Sequence, residues 1–210
     1  MRTIQSSSDC FEPILTIMMA SNAILSASQY LFMIQRNPAS LNTTVEIQPS
    51  LLLTLPAPAS GIVLQFDPTV LLRELAHNRK PLELHFSEEA ITTEGSVIPE
   101  GAVQMPDLSL FRKRIIQSVF TDFYETQKSR VDTKWNGLLN WHGTWQFAWL
   151  VRNALAHGGK INWIDQRVSS VTWKTITYNY TNHNNREIIF KEIAEGDLII
   201  LIDEIDKALI

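Results

Sequence analysis

The sequence predicts a mainly α protein, a single domain over residues 1–210. Three observations carry that expectation. Long stretches repeat apolar residues at helical spacing. Eight of the nine prolines lie between Pro38 and Pro106, where each removes a backbone donor and blocks helix continuation. Near the C-terminal end the apolar period changes from 3.6 to 2. The expected architecture is a bundle of four to five helices, an irregular proline-rich insertion over 37–107, and a small β-hairpin over 171–193 before the last helix.

The first helix is expected over about 10–36. No charged residue lies between Glu12 and Arg36 in PILTIMMASNAILSASQYLFMIQ, a length that could span a bilayer. Thr16, Ser21, Asn22, Ser26, Ser28 and Gln29 interrupt it, and Asn22, Ser26 and Gln29 form one helical stripe. A helix buried on most sides, its polar stripe toward a neighbour, is expected rather than a membrane span. Within the insertion, DPTVLLRELAHN reads as a short helix with Asp67 as N-cap and Pro68 at the first position. KPLELHF alternates like a strand, and Leu51–Leu53 and Ile62–Leu64 keep apolar runs. Asp107 or Ser109 can cap a helix to about Ser129, carrying Leu110, Ile115, Val119, Phe120, Phe123 and Tyr124 inward. A third helix is expected from about Trp135 to His157, stopped by Gly158-Gly159. In it Trp145 and Trp149 read as core or dimer-interface residues. VTWKTITYNYT and REIIFKEI around NHNN predict the hairpin. GDLIILIDEIDKAL predicts a closing amphipathic helix, Asp197 at its positive end and Lys207 at its negative end.

Hydrophobic residues make up 45% and charged residues 19% of the chain, a globular balance. A net charge of −4 gives no blanket attraction to nucleic acid, so such contact needs a local patch. FRKR at 111–114, with Arg130 and Lys134, is the basic cluster, and a solvated helix face is the favoured account of it. The single cysteine, Cys10, excludes an internal disulfide and a cysteine-rich zinc site. That usage, and a start unlike a secretory signal, predict a cytoplasmic protein.

The segment VRNALAHGGKI, 151–161, places Arg152 and Asn153 before His157 at a helix end. The spacing alone is a weak signal. Arg79 and His85 in RKPLELH match it too, but Pro81 and the strand pattern there leave the two side chains no fixed relation. A helix end also attracts cations for dipole reasons, and five positions turn Arg152 and His157 about 140° apart. Yet an Arg holding a phosphate beside a His that exchanges a proton is what metal-free phosphodiester cleavage requires. No acidic cluster or His/Cys ligand set accompanies the pair, so neither metal nor other cofactor is expected.

LVRNALAHGGKI, 150–161, closely resembles the signature of HEPN domains, the higher eukaryote and prokaryote nucleotide-binding superfamily: Arg, four to six residues, then His, with a polar residue after the Arg. The resemblance implies a HEPN-like all-α bundle. It also implies a metal-independent endoribonuclease of toxin–antitoxin, abortive-infection or stress-defence systems. Partners would be RNA, a second copy joined through the motif-bearing helix, and a separate antitoxin protein; no membrane is implied. His157 would be general acid/base, Arg152 would hold the phosphate, and Asn153 would orient either. Lys160 and His142 are further substrate-binding positions that could reach a cleft near the motif. The alternative is a non-catalytic HEPN-like module that binds a nucleotide or a partner.

Overall fold

In the computed structural model, which describes residues 1–36, 52–91 and 107–210, the elements run β1 (Arg2–Gln5), α1 (Phe11–Arg36), β2 (Leu53–Ala57), β3 (Ile62–Phe66), α2 (Pro68–Ala76), β4 (Glu83–Ala90), α3 (Ser109–Trp135), α4 (Gly143–Ala156), β5 (Ser170–Trp173), β6 (Ile176–Asn179), α5 (Tyr180–His183) and α6 (Glu195–Leu209). The expected mainly α bundle is thereby corrected. The protein is mixed α/β, not all-α, with a four-stranded antiparallel sheet in the order β1-β4-β3-β2 and a separate two-stranded hairpin.

The sheet arises where an irregular insertion was expected, because the prolines there occupy positions that need no donor. Pro56 lies in β2, an edge strand, where proline is tolerated. Pro58 opens a 3-10 turn, and Pro68 begins α2, whose Asp67 cap accepts from Thr69 N at 2.9 Å. Gly61, at φ 69°, takes the left-handed position that completes the β2–β3 connection. Each strand alternates: Leu53, Leu55 and Ala57 of β2 are buried, as are Leu64 and Phe66 of β3 and Leu84 and Phe86 of β4. The N-terminal RTIQ joins as β1, pairing Ile4 with Leu84. The rest of the expected insertion, 37–51 and 92–106 with Leu51 and four of the prolines, lies outside the described residues.

Helix α6 is the centre of the fold. It packs on β2 on one side and on α3 and α4 on the other. Its residues from Glu195 to Asp203 are all buried, so the expected amphipathic helix is enclosed instead. Four buried carboxylates come with it, and burial of a charge requires compensation. Glu195 meets Arg112 at 3.1 Å. Asp197 accepts from Ala59 N, Ser60 N, Ser60 Oγ and Ala194 N, all at 3.0–3.1 Å. Asp203 meets Arg2 and Lys207, the latter at 2.7 Å. Asp206 accepts from Cys10 N at 3.3 Å. Sheet, α1 and helical core are therefore tied to one helix.

Helix α3 continues past Ser129 to Trp135, and α4 starts at Gly143 rather than Trp135. Asn136 at φ 54° and Gly137 at φ 100° break the chain there, a pair suited to left-handed backbone. The hairpin also shifts. β5 and β6 both come from VTWKTITYN, paired Val171 to Tyr178 with Lys174 (φ 52°) in the turn, while 180–183 form α5 and REIIFKEI becomes a loop that closes on itself through local turn hydrogen bonds. Period 2 marked the strands, but the turn lies inside the first run. Helix α1 packs on α3 and buries Phe11, Ile14, Leu15, Ile17 and Met18, then only Ser21 and Ser28. By length and composition it is apolar enough to cross a membrane, with 22% of its most apolar window buried. Asn22, Ser26 and Gln29 are half-buried, so the expectation of burial on most sides holds for its first half alone.

Candidate functional site

The motif occupies the last turn of α4. Nine residues of this helix are buried, including Trp145, Trp149 and Asn153. Trp145 is wholly buried and donates from Nε1 to Ile205 O at 2.8 Å, which makes it a core residue. Arg152 is half-buried and His157 exposed. The helix stops by a Schellman closure, Gly159 N to Ala154 O at 2.8 Å, with Gly158 at φ 68°, the geometry that glycine favours. Gln117 of α3 donates to the otherwise free Leu155 carbonyl at 2.8 Å. His157 thus sits as C-cap at the negative end of α4, its backbone held from both sides.

Each motif side chain has a partner that spacing did not point to. His157 Nε2 lies 2.8 Å from the amide of Asn162. When that amide donates, Nε2 of the neutral ring is the acceptor and Nδ1 carries the proton. Arg152 Nε approaches Glu125 Oε1 of α3 at 2.5 Å, too far off line for a hydrogen bond, so Nε stays unpartnered. Arg152 Nη1 reaches Asn153 Oδ1 at 3.4 Å. Asn153 is 3% exposed, and its Nδ2 has no partner; neither has the Tyr124 hydroxyl beside Glu125. Burial pushes that phenol upward in pKa. Among the described residues, three buried polar atoms at the α3–α4 contact are therefore unsatisfied, in proteins where such groups are nearly always bonded.

The two secondary positions separate. Lys160 is exposed just beyond the glycines and bridges to Glu187. His142 caps the opposite end of α4, accepting from Thr144 N at 3.3 Å. Fifteen residues of helical rise put it about 22 Å from the motif, so it belongs to the helix start and not to a cleft at its end.

The surroundings are electrostatically asymmetric. A groove of about 900 Å³ between α1 and α3 reaches Ala156 and carries Glu12, Asp122 and Glu125. A second pocket, about 350 Å³, lies on the other side of the helix end, with Lys113, Arg114 and Lys191 among its lining residues. Of the basic cluster seen in the sequence, Arg112 pairs with Glu195, Arg130 with Asp9, and Lys134 with the Ala208 and Leu209 carbonyls. Lys113 and Arg114 form no ion pair among the described residues. The positive charge without an ion-pair partner among the described residues thus lies at the second pocket.

Compared with known protein families, curated proteins and solved structures, the chain matches none of them.

Proposed function

We propose that the protein is a metal-independent endoribonuclease of HEPN type. The observation that carries this reading is the pairing at one helix end of an accessible His157, held by Asn162, with an Arg152 whose ion-pair partner among the described residues is the exposed Glu125. In this reading the Asn162 amide is turned so that its Oδ1 accepts Nε2–H. His157 takes the ribose 2′-hydroxyl proton on Nδ1, the 2′ oxygen attacks phosphorus, and the bond to the 5′ oxygen breaks. The 5′ oxygen takes up a proton from a protonated histidine, leaving a 2′,3′-cyclic phosphate and a 5′-hydroxyl. Arg152 stabilises the charge that builds on the phosphoryl oxygens. Glu125 has to yield Arg152 to the phosphate. Both side chains are about a third exposed or more, at 34% and 42%, and such pairs contribute about 0–1 kcal/mol. A phosphate displaces that carboxylate at little cost.

The chain works as a homodimer in this reading, with the α4 ends of two protomers facing each other, so that one histidine accepts the proton while the other supplies one. Since most of α4 is buried in its own protomer, it can meet a second copy only at its exposed ends, and in this reading the end at His157 and Gly158 does so. A role in toxin–antitoxin, abortive-infection or stress defence, with a separate antitoxin and a cytoplasmic setting, follows the same resemblance.

The Arg152–Glu125 pair favours a second reading, a non-catalytic module that binds a nucleotide or partner and keeps its Arg neutralised. RNA incubated in EDTA with wild type and with an Arg152→Ala/His157→Ala variant separates the two. The nuclease reading expects cleavage by wild type and a loss of at least a hundredfold in the variant, in line with removal of an acid/base group. Equal cleavage by both, or none by either, removes it.

A further inference from the structure

The pocket beside Gly158 and Gly159 has a composition that the helix end does not explain. Its wall is the loop 188–193, closed by Ile193 N and Glu192 N to Ile188 O and by Phe190 N to Ile193 O at 2.7 Å. That closure holds Phe190 at φ 60°, a backbone region that bulky residues rarely occupy. Strain of this kind persists where the surroundings over-determine it and is enriched at ligand sites. The Phe190 ring is half-buried in the pocket wall, with the Lys113 ammonium 5.3 Å from its centroid. Arg114 opposes it with one neutral contact, Gln117 Oε1 at 3.2 Å. Glu187 is the one carboxylate in the lining, and Lys191 at 2.7 Å neutralises it. An aromatic ring, two cations with no carboxylate partner among the described residues and about 350 Å³ of space sit directly against the end of α4. The volume is that of a small-ligand pocket.

We propose that this pocket takes one unstacked nucleotide of a single RNA strand, its base against Phe190 and its phosphate between Lys113 and Arg114. A base stacks on an aromatic ring whatever its identity, and the two cations bind the backbone that any strand carries. The ring is reachable only by a base out of its helix, so the pocket selects single strands over duplexes. Gly158 and Gly159 in its lining put the pocket next along the chain to His157. That the strand is RNA rests on the ribonuclease reading; the nucleotide chemistry rests on the pocket alone.

The test is fluorescence anisotropy of wild-type protein with a labelled ten-nucleotide 2′-O-methyl RNA, which binds but offers no 2′-hydroxyl for cleavage. Lys113→Gln/Arg114→Gln should weaken binding about tenfold or more and flatten its salt dependence. Phe190→Asn, which suits the left-handed backbone while removing the ring, should weaken it about tenfold, and Phe190→Tyr should stay within about threefold. Thermal melts of the variants confirm that each is folded, and the duplex of the same sequence should bind about tenfold more weakly. No binding by wild type, equal binding of duplex and single strand, or unchanged affinity in folded Phe190→Asn overturns the pocket. Displacement of the strand by AMP at an equal concentration also overturns it, by identifying a free nucleotide as the ligand. If the strand binds with the expected pattern while no RNA is cleaved, the pocket stands and the ribonuclease reading falls.

Discussion

At the scale of single residues, the proposed function sets partners within the chain against a phosphate outside it. In that proposal Asn162 is the positioning residue for His157. Asn162→Ala should lower kcat roughly ten- to a hundredfold through misplacement of the base and leave KM nearly unchanged. Steady-state kinetics on a short RNA read both, and a rise in KM alone would contradict the positioning role. Cys10 is the opposite kind of residue, inert by placement. Burial first, and Asp206 next, push its thiol well up in pKa. It should therefore resist iodoacetamide at pH 8 in the native protein and react on unfolding in urea, where its value returns to about 8.5. The folded state keeps this proton longer than the unfolded one. The linked stability is therefore fully present below about pH 8.5 and declines as pH rises above it. Rapid native labelling would contradict the burial.

At the scale of elements, α6 and β2 approach so closely that only glycine fits between them. A Cβ on Gly196 would lie 2.7 Å from Leu55 O and 2.8 Å from Pro56 O, both backbone atoms that cannot swing aside. Gly196→Ala should cost about 1–3 kcal/mol, the usual range for overpacking; urea unfolding measures it, and an unchanged midpoint would contradict the contact. This contact also shows where sequence reading ran out. Helices α2, α3, α4 and α6 were legible because caps and apolar periodicity act locally, as Asp67 and Gly158 show. The sheet was not, because its strands are short and β1 joins β4 across some eighty residues. Prolines counted as breakers are harmless once Pro56 lies at an edge. The enclosure of α6 was likewise unreadable, since the layer covering it is that unforeseen sheet. At the site, Arg152, Asn153 and His157 could be picked out from the motif. Glu125, Asn162 and Phe190 could not, because tertiary packing alone brings them there.

At the scale of the molecule, charge is sorted around the end of α4. In the proposed function, the carboxylate-bearing groove between α1 and α3 and the basic pocket against the glycines would give RNA one direction of approach, in a chain whose net charge of −4 offers no general attraction. The proposed dimer would place two such ends together and supply both proton-transfer partners. The central claim is that Arg152 and His157 cut RNA without metal. Its most direct test is mass spectrometry of the ends made from a defined RNA in EDTA by wild type and by Arg152→Ala/His157→Ala. The account predicts 2′,3′-cyclic phosphate and 5′-hydroxyl ends from wild type alone. Cleavage leaving 3′-hydroxyl and 5′-phosphate ends, or the same ends from both proteins, would contradict it.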